Sequence, residues 1–149
     1  MNVTFPGKHR RVLIDTSVWI YHIEQHPQFA APAGKVVESL QGGKFRGITS
    51  ELALLELTVD PLKLGRQNVA DEYELLVGYF PHLDLIPIDR DILIEAAGLR
   101  AHYKLRTPDA IQLGTALRSG ATLAISNDEG WRNLPFMETL ILSDLIEKR

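Results

Sequence analysis

Apolar positions along the first half of the chain alternate between short runs and helical spacing. Short β-branched runs predict strands, and apolar residues repeated every three or four positions predict helices. Pro27, Pro61 and Pro81 each follow a helical segment, and proline is expected to end it. Ser50 is the expected N-cap of the helix that begins at Glu51. The predicted elements are a strand over 12–14, a helix over 17–25, a helix through 36–40, a strand over 45–49, and helices over 51–59 and 67–80.

The second half of the chain continues this alternation. Its predicted elements are a strand over 83–88, a helix that begins after position 89, a helix over 107–119, and strands over 121–126 and 139–142. Asp89 is expected to cap one helix, and Thr107 followed by Pro108 to start the next. Strands separated by helices favour an α/β fold with a mostly parallel central sheet of about five strands flanked by helices. Such sheets bind ligands beyond the carboxyl ends of their strands, so functional side chains are expected there.

Composition and charge limit the class of protein. A chain of 149 residues with 45% hydrophobic and 23% charged residues is expected to form one globular domain. Because the chain has no cysteine, any metal must use oxygen or imidazole ligands. A formal charge of −3, taken alone, argues against a nucleic-acid partner. Residues 1–10 form a charged lead-in without an apolar segment, which predicts a cytoplasmic protein that makes no membrane contact.

Two aspartates follow predicted strands, and a third opens a helix. Asp15 comes directly after the 12–14 strand and Asp128 follows the 121–126 strand, so both are expected at the ligand-binding edge of the sheet. Asp109 lies in the first turn of its helix and shares a face with Leu113 and Ala116, which predicts an inward side chain. Helix capping and turn formation are ordinary uses of such aspartates, so no one of them decides a function.

Glu56 lies on the predicted apolar face of its helix. At about 100° per residue it shares that face with Leu52, Leu55 and Val59. Because an unpartnered buried carboxylate is costly, we expect Glu56 either at the edge of the face or opposite a cation. Four acids brought together would repel one another unless a divalent ion neutralised them, and Mg²⁺ or Mn²⁺ prefers oxygen ligands. The set therefore predicts a metal site suited to phosphodiester hydrolysis.

Four segments carry these acids: VLIDTSVWI with Asp15, SELALLEL with Glu56, TPDAIQLGTAL with Asp109 and AISNDEGW with Asp128. In this order and approximate spacing they resemble the PIN-domain family, and within it the VapC-type toxins of bacterial and archaeal toxin–antitoxin pairs. The resemblance covers nearly the whole chain and implies a Mg²⁺-dependent endoribonuclease, with Mn²⁺ as a substitute. It implies Asp15 and Asp109 as the principal metal ligands, with Glu56 and Asp128 completing the pocket. It also implies an RNA substrate, a small inhibitory antitoxin, and assembly as a homodimer or a toxin–antitoxin hetero-oligomer.

Side chains next to the acids are expected to support them. Thr16, Ser126 and Asn127 are the neighbours that we expect to orient the carboxylates. Ser126 stands where threonine is frequent in the family, and Trp131 where phenylalanine is frequent. Both keep the chemical character of the position, because serine retains a hydroxyl and tryptophan can still pack as an aromatic ring after the turn.

Two basic segments are candidate RNA contacts. Arg100, Lys104 and Arg106 are predicted to hold an RNA backbone while Tyr103 stacks on a base, with a solvated helix end as the alternative. The cluster over 8–11 has the same two interpretations: an RNA contact or a solvated lead-in. Apolar residues at Trp19, Phe29 and Leu40 are candidates for a dimer or antitoxin interface, with core packing as the more common explanation.

Two other functions stay open on the sequence. The first is a PIN-like RNA-binding or partner-binding module without nuclease activity, whose acids dock an arginine or lysine of a partner. The second is a small-molecule phosphohydrolase on a similar α/β sheet. The net charge no longer argues against RNA, because setting the four clustered acids aside changes the formal charge from −3 to +1. The negative charge is therefore interpreted as local.

Overall fold

The computed structural model describes residues 4–146, which form a parallel sheet covered by helices. The strands are β1 (Arg11–Ile14), β2 (Arg46–Ser50), β3 (Leu83–Ile86), β4 (Leu123–Ser126) and β5 (Glu138–Ile141). The helices are α1 (Thr16–Ile23), α2 (Ala30–Gln41), α3 (Leu52–Lys63), α4 (Gln67–Gly78), α5 (Arg90–Tyr103) and α6 (Thr107–Arg118), with short 3₁₀ turns over Glu129–Trp131 and Leu142–Leu145. This architecture confirms the α/β class and the five-stranded sheet predicted from the sequence.

The spatial order of the strands is β3-β2-β1-β4-β5, and every pairing is parallel. The chain moves outward from β1 to β2 and β3, crosses back to β4 beside β1, and moves outward again to β5. Ile14 and Ile125 are partners where β1 and β4 run side by side. A reversal of this kind opens a crevice at the carboxyl ends of the two strands, where α/β proteins bind their ligands. The residues that follow β1 and β4 therefore lie at this crevice.

Both faces of the sheet are covered, which explains the continuous apolar sequence of β1. Val12 and Ile14 pack on the side of α1 to α4, whereas Leu13 packs on the side of α5 and α6. All three side chains are fully buried, as expected for a central strand of a parallel sheet. Helices α5 and α6 approach closely at Gly114, where an added Cβ would lie 3.3 Å from the carbonyl oxygen of Ile92. This contact fixes α6, the helix that carries Asp109.

Helix α3 differs from the sequence prediction at its carboxyl end. It continues through Pro61 to Lys63 instead of ending before the proline. Proline removes one helical hydrogen bond, but Pro61 is buried, and the N–H of Leu64 still donates to the carbonyl oxygen of Asp60 at 3.2 Å in the last turn. At the other end, Ser50 is the last residue of β2 and its Oγ accepts a hydrogen bond from the N–H of Leu52 at 3.1 Å. The hydroxyl of Ser50 therefore binds an N–H of the first turn, but the N-cap residue of α3 is Glu51, so the predicted cap is wrong by one position.

The caps of α5 and α6 differ in outcome. Asp89 accepts a hydrogen bond from the N–H of Ile92 at 2.9 Å, which confirms it as the cap of α5. Thr107 was expected to cap α6, but the N-cap residue is Arg106, and Thr107 Oγ1 instead accepts from Nη1 of Arg100 at 2.9 Å. The prediction for Thr107 is therefore wrong by one position, because the extended residue before the helix is Arg106 and the Thr107 hydroxyl binds Arg100.

The apolar surface of the molecule is not where the sequence suggested. Trp19 and Leu40 are fully buried and Phe29 is partly buried, so for the first two the interpretation as a partner surface is wrong and core packing is right. The large exposed apolar side chains of α3, α4 and the segment between them, here called the α3–α4 apolar surface, are Leu55, Val59, Leu62, Leu64, Leu75 and Leu76. Among residues 4–146, no helix combines the length and apolar character needed to cross a membrane.

The segment ahead of β1 is anchored to the sheet. His9 is buried, with Nδ1 2.8 Å from Oγ1 of Thr122 and Nε2 2.8 Å from Oε2 of Glu138. Arg11 Nη1 donates to the carbonyl oxygen of Ser119 at 2.6 Å. His9 is therefore neither a solvated residue nor an exposed RNA contact, the two interpretations given to the 8–11 cluster. Residues 1–3 of the lead-in lie outside the described residues.

Candidate functional site

Asp15 lies where β1 ends, at the crevice between β1 and β4. Its N–H donates to the carbonyl oxygen of Ile125 at 2.9 Å, which ties the residue to the neighbouring strand. Its carboxylate Oδ2 accepts hydrogen bonds from Ser17 Oγ at 2.8 Å and from Ser126 Oγ at 2.7 Å. The hydroxyl of Ser126 thus orients an acid, as the sequence led us to expect. Two fixed donors leave Asp15 with one orientation.

The environment of Asp15 opposes its charge. Burial raises the pKa of Asp15 to about 6, and the two serine hydroxyls counteract only part of this effect. The negative charges of Glu56 and Asp109 raise the pKa further. Hydrogen bonds also connect the acids, because Thr16, the residue after Asp15, donates to Glu56, and Ser126 Oγ binds both Asp15 and the N–H of Asp128. A nearby cation would favour the ionised form of this carboxyl.

Glu56 is positioned by side chains from two other helices. Thr16 Oγ1 donates to Glu56 Oε1 at 2.8 Å. Gln112 Nε2 in turn donates to Thr16 Oγ1 at 3.2 Å, and Gln112 Oε1 accepts from the N–H of Ser50 at 3.2 Å. This chain of hydrogen bonds links α6, α1 and α3. Thr16 supports an acid as predicted.

The apolar face predicted around Glu56 is wrong. Leu55 is 63% exposed and Val59 is 38% exposed, whereas the buried residues of α3 are Ala53, Leu57 and Pro61. The sequence of α3 is apolar nearly all round, so its spacing does not fix which face is buried. Glu56 is partly buried, in agreement with the edge position that was one of the two expectations.

Asp109 lies in the first turn of α6 and is 9% exposed. Leu113 and Ala116 on the same face are fully buried, which confirms the inward direction predicted for the aspartate. Trp131 Nε1 donates to Asp109 Oδ1 at 3.2 Å, and Arg106 Nε donates to Asp109 Oδ2 at 3.2 Å. Trp131 is therefore a buried aromatic residue that also orients Asp109 through a hydrogen bond from its indole N–H.

Asp128 follows β4 and serves a turn and the site together. Its Oδ1 accepts from the N–H of Gly130 at 2.8 Å, which starts the 3₁₀ turn. Its own N–H donates to Ser126 Oγ at 3.1 Å, and its Oδ2 accepts from Arg106 Nη2 at 3.4 Å. Asn127 contributes through its backbone N–H, which donates to Ser17 Oγ at 3.3 Å. The turn interpretation and the site interpretation of Asp128 are thus compatible.

A guanidinium group is the cation that the acids hold in the described structure. Arg106 bridges Asp109 and Asp128, and its side chain is 76% exposed. The charge of Asp109 and its hydrogen bond with the guanidinium, followed by the charge of Asp128, raise the pKa of Arg106. The sequence had placed this residue among candidate RNA contacts, and its pairing with two acids of the site was not foreseen.

The other candidate RNA contacts lie in the last turn of α5 and at the residue that follows it. Arg100 donates from Nε to the carbonyl oxygen of Leu105 at 3.0 Å and from Nη1 to Thr107, so it fastens the segment that joins α5 to α6. Tyr103 is 41% exposed and its ring centroid lies 4.8 Å from that of Phe136. Lys104 is exposed and ends α5 with a φ of 55°. Contact of these residues with RNA stays a prediction.

Sequence reasoning missed Ser17 and Gln112. Ser17 lies two residues after Asp15, where its Oγ reaches back to the carboxylate. Gln112 lies three residues after Asp109, one turn along the inward face of α6, and is 1% exposed. A buried amide at that spacing is a usable sequence signal, because buried polar groups need partners. Its partner Thr16 could not be named from the sequence.

The donor chemistry of the site fits a hard divalent ion. The side chains of Asp15, Glu56, Asp109 and Asp128 offer carboxylate oxygens, and Asp15 carries a charge that its surroundings oppose. Within residues 4–146, however, no three His, Asp or Glu side chains are arranged closely enough to hold a metal ion. In this arrangement Asp109 and Asp128 face the guanidinium of Arg106. Metal binding by these residues stays a prediction.

Several solved structures have the same fold. A toxin–antitoxin complex from Klebsiella pneumoniae is 22% identical with a TM-score of 0.68, and the match covers 88% of this chain and 97% of that one. VapBC2 from Rickettsia felis, bound to a DNA fragment from its promoter, is 15% identical with a TM-score of 0.69, over 88% of this chain and 98% of that one. VapC20 from Mycobacterium tuberculosis, a toxin that cleaves the sarcin–ricin loop, is 14% identical with a TM-score of 0.60, over 76% of this chain and 86% of that one.

A comparison with curated proteins finds no match. The model of the PIN domain family, in contrast, matches residues 12–137. This range begins in β1 and ends just before β5, and it includes Asp15, Glu56, Asp109 and Asp128. The chain belongs to the PIN-domain family.

Proposed function

We propose that the chain is a metal-dependent endoribonuclease that acts as the toxin of a toxin–antitoxin pair. The observation that carries this proposal is the convergence of the acids on one crevice. Asp15 and Asp128 follow the neighbouring strands β1 and β4, and the charges of Glu56 and Asp109 reach Asp15. Carboxylates at the carboxyl ends of parallel strands are suitable ligands for Mg²⁺ or Mn²⁺, and an ion bound by a few of them leaves room for phosphate oxygens.

The proposed reaction is hydrolysis of an RNA phosphodiester bond. Asp15 and Asp109 would be the principal ligands of the ion, with Glu56 and Asp128 beside them. When bound, a divalent ion neutralises phosphate charge and activates the phosphorus toward attack by water. Ser17 and Ser126 hold the Asp15 carboxylate in place, and Trp131 does the same for Asp109. Fixed ligand orientation is what such neighbouring hydrogen bonds supply at metal sites.

Glu56 is suited to a second task in this reaction. Thr16 Oγ1 donates to one of its two oxygens, and Gln112 fixes Thr16 in turn. The same hydrogen bonds also fix the position of the second carboxylate oxygen of Glu56. A carboxylate held in this way can accept a proton from the attacking water or orient that water through a hydrogen bond.

Removal of either principal ligand tests the proposed activity. The Asp15→Asn and Asp109→Asn variants should lose RNA cleavage by at least about 100-fold while they keep the circular dichroism spectrum of the parent, because ligands at a metal centre carry much of the rate. Asp91→Asn is the matched control, since Asp91 is an exposed aspartate that pairs with Arg118 away from the crevice. Cleavage should stop with EDTA and return with excess Mg²⁺ or Mn²⁺. An Asp109→Asn variant that cleaves normally would overturn the proposal.

The toxin role and the antitoxin partner are supported by the structural neighbours. The complexes from Klebsiella pneumoniae and Rickettsia felis pair a toxin with an antitoxin. In this chain the α3–α4 apolar surface exposes leucines such as Leu55 and Leu64, at 63% and 68%. Clustered exposed apolar side chains are typical of surfaces that a partner covers. We expect the product of a neighbouring reading frame to co-purify with the chain and to suppress its RNA cleavage.

A binding module without nuclease activity is the second candidate. The observation that favours it is the bridge from Arg106 to Asp109 and Asp128, which shows that these acids can hold a guanidinium group. A partner's arginine or lysine would then be the natural ligand. Calorimetry separates the two candidates, because this module would bind neither Mg²⁺ nor Mn²⁺ and would leave RNA intact after long incubation.

A further inference from the structure

The pairing of Arg106 with the acidic site is loose. Its Nε lies 3.2 Å from Asp109 Oδ2 and its Nη2 lies 3.4 Å from Asp128 Oδ2. Hydrogen bonds between a guanidinium and a carboxylate are usually about 2.7–2.9 Å long. The side chain of Arg106 is 76% exposed, whereas that of Asp109 is 12% exposed. The guanidinium of Arg106 therefore lies between the largely buried carboxylate of Asp109 and the solvent.

Another arginine in the same region shows what a tight structural pairing looks like. Arg132 Nε lies 2.8 Å from Glu129 Oε2, and its Nη1 lies 3.0 Å from Asp144 Oδ2. Its side chain is 40% exposed, about half the exposed fraction of Arg106. The Nη2 of Arg132 makes two longer contacts, at 3.2 Å to Glu129 and 3.3 Å to Asp144, so Arg132 has four contacts with its two acids, whereas Arg106 has one contact with each of its acids. The looser geometry indicates that Arg106 is the more easily displaced of the two.

The backbone that carries Arg106 is nevertheless held firmly. Leu105 is buried in the core, and its carbonyl oxygen accepts from Nε of Arg100. Thr107 on the other side accepts from Nη1 of Arg100. The Cα of Arg106 is thus anchored from both neighbours at the start of α6, while its long side chain extends into solvent. An anchored backbone with an exposed side chain allows the guanidinium to move between nearby ligands without refolding.

We propose that Arg106 is a tethered counter-ion of the acidic site, which competes with divalent ions for Asp109 and Asp128 and binds the RNA backbone once an ion has displaced it. This inference rests on the proposed function. An ion that binds Asp109 Oδ2 and Asp128 Oδ2 competes for the same oxygens that accept hydrogen bonds from the guanidinium. Displacement costs little on the arginine side, because the Arg106 side chain is 76% exposed and its guanidinium regains water when it leaves the acids. A guanidinium next to a bound ion is placed to form paired hydrogen bonds with phosphate oxygens.

Metal titration of an arginine variant tests the competition. Manganese binding is measured by calorimetry, without RNA, on the full chain and on Arg106→Gln. We expect the variant to bind Mn²⁺ about threefold to tenfold more tightly, since removing the long contacts of a solvent-exposed guanidinium frees the carboxylates of Asp109 and Asp128. Arg118→Gln is the matched control, because it removes one positive charge and one exposed pair, 3.4 Å long, from the other end of α6.

The second arm measures RNA affinity with Ca²⁺ in place of Mg²⁺. Arg106→Gln should bind RNA at least about threefold more weakly than the parent, although its metal affinity is higher, because it lacks a phosphate contact. Opposite changes in metal and RNA affinity support the inference. Unchanged Mn²⁺ affinity in Arg106→Gln, or an equal change in Arg118→Gln, would overturn it while the proposed function stands. Unchanged RNA affinity would overturn the phosphate contact, and absence of Mn²⁺ binding by parent and variant would overturn this inference and the proposed metal dependence together.

Discussion

Asp15 is the side chain whose surroundings are least suited to its charge. Burial and the charges of Glu56 and Asp109 hold its pKa at about 6, above the ordinary value of 3.8. Between these two values the folded chain binds protons more tightly than the unfolded chain. The stability contributed by a protonated Asp15 is therefore complete below pH 3.8 and is lost as the pH rises through about 6. At neutral pH the ionised carboxyl destabilises the fold.

The Asp15→Asn variant tests this assignment without reference to catalysis. In metal-free buffer at pH 7.5 it should unfold at a higher temperature than the parent, with a gain on the order of 2 kcal/mol in the free energy of unfolding. The gain should disappear near pH 3.5, where Asp15 is protonated in both states. Thermal melts of both proteins at the two pH values provide the measurement, with Asp91→Asn as the exposed control. A gain of equal size at both pH values would contradict the raised pKa.

At the residue scale the sequence predicts the positions of the acids better than it predicts which side chains form hydrogen bonds with them. Asp15 and Asp128 could be placed because each follows a strand, and Asp109 because it shares a helix face with Leu113 and Ala116. The bridge from Arg106 could not be placed, since a long flexible side chain has many reachable partners. Gln112 was missed for a related reason, because its partner comes from α1, far away along the chain.

At the scale of elements, close packing of α5 on α6 positions Asp109. An added Cβ at Gly114 would lie 3.3 Å from the Ile92 carbonyl oxygen and 3.4 Å from the Ala96 nitrogen, both of them backbone atoms of α5. Backbone atoms cannot rotate aside as a side chain can. A larger residue at position 114 must therefore push the two helices apart, and the first turn of α6 moves with them.

The Gly114→Val variant should destabilise the fold by about 1–3 kcal/mol, the usual cost of overpacking. Gly98→Val is the matched control, because Gly98 lies in α5 with no atom within 4 Å of an added Cβ. The control should be neutral or slightly stabilising, since glycine is a poor helix former. Urea unfolding of the three proteins gives both free energies. Equal destabilisation by the two substitutions would show that helix propensity, and not the α5–α6 contact, is responsible.

The same scale shows where helical spacing fails as a predictor. Helix α6 has a distinct inward face, and its phase was predicted correctly at Asp109. Helix α3 has leucines on several faces, so the sequence permits more than one phase, and packing against the rest of the fold selects the one with Ala53 and Leu57 inside. Spacing predicts that such a segment is helical without predicting which side is buried.

At the scale of the whole molecule, charge is distributed unevenly. The formal charge is −3, and the acids at the crevice account for the excess. A polyanion should therefore be repelled from the crevice until a cation neutralises it. The order of the strands explains why the acids meet there, because reversal between β1 and β4 brings together two strand ends that are distant in sequence.

Divalent ions should accordingly control RNA binding as well as cleavage. We expect RNA affinity to rise by about tenfold or more when EDTA is replaced by Ca²⁺, with NaCl adjusted to keep the ionic strength constant. The Asp109→Asn variant should lose most of this increase, because it lacks one of the proposed ligands. Fluorescence polarisation with a labelled oligoribonucleotide provides the measurement. An increase of the same size in the variant would indicate ion binding by the RNA and not by the chain.

The anchoring of His9 has a practical consequence for such measurements. His9 is held between Thr122 and Glu138 at the edge of the sheet where β1 begins, whereas Asp15 lies where β1 ends. His9 and Asp15 therefore lie at opposite ends of β1, a strand of four residues that is about 13 Å long. A protein immobilised on a sensor surface through a linker ahead of residue 4 would therefore present its crevice outward, and RNA and partner proteins could be titrated against the same oriented molecules.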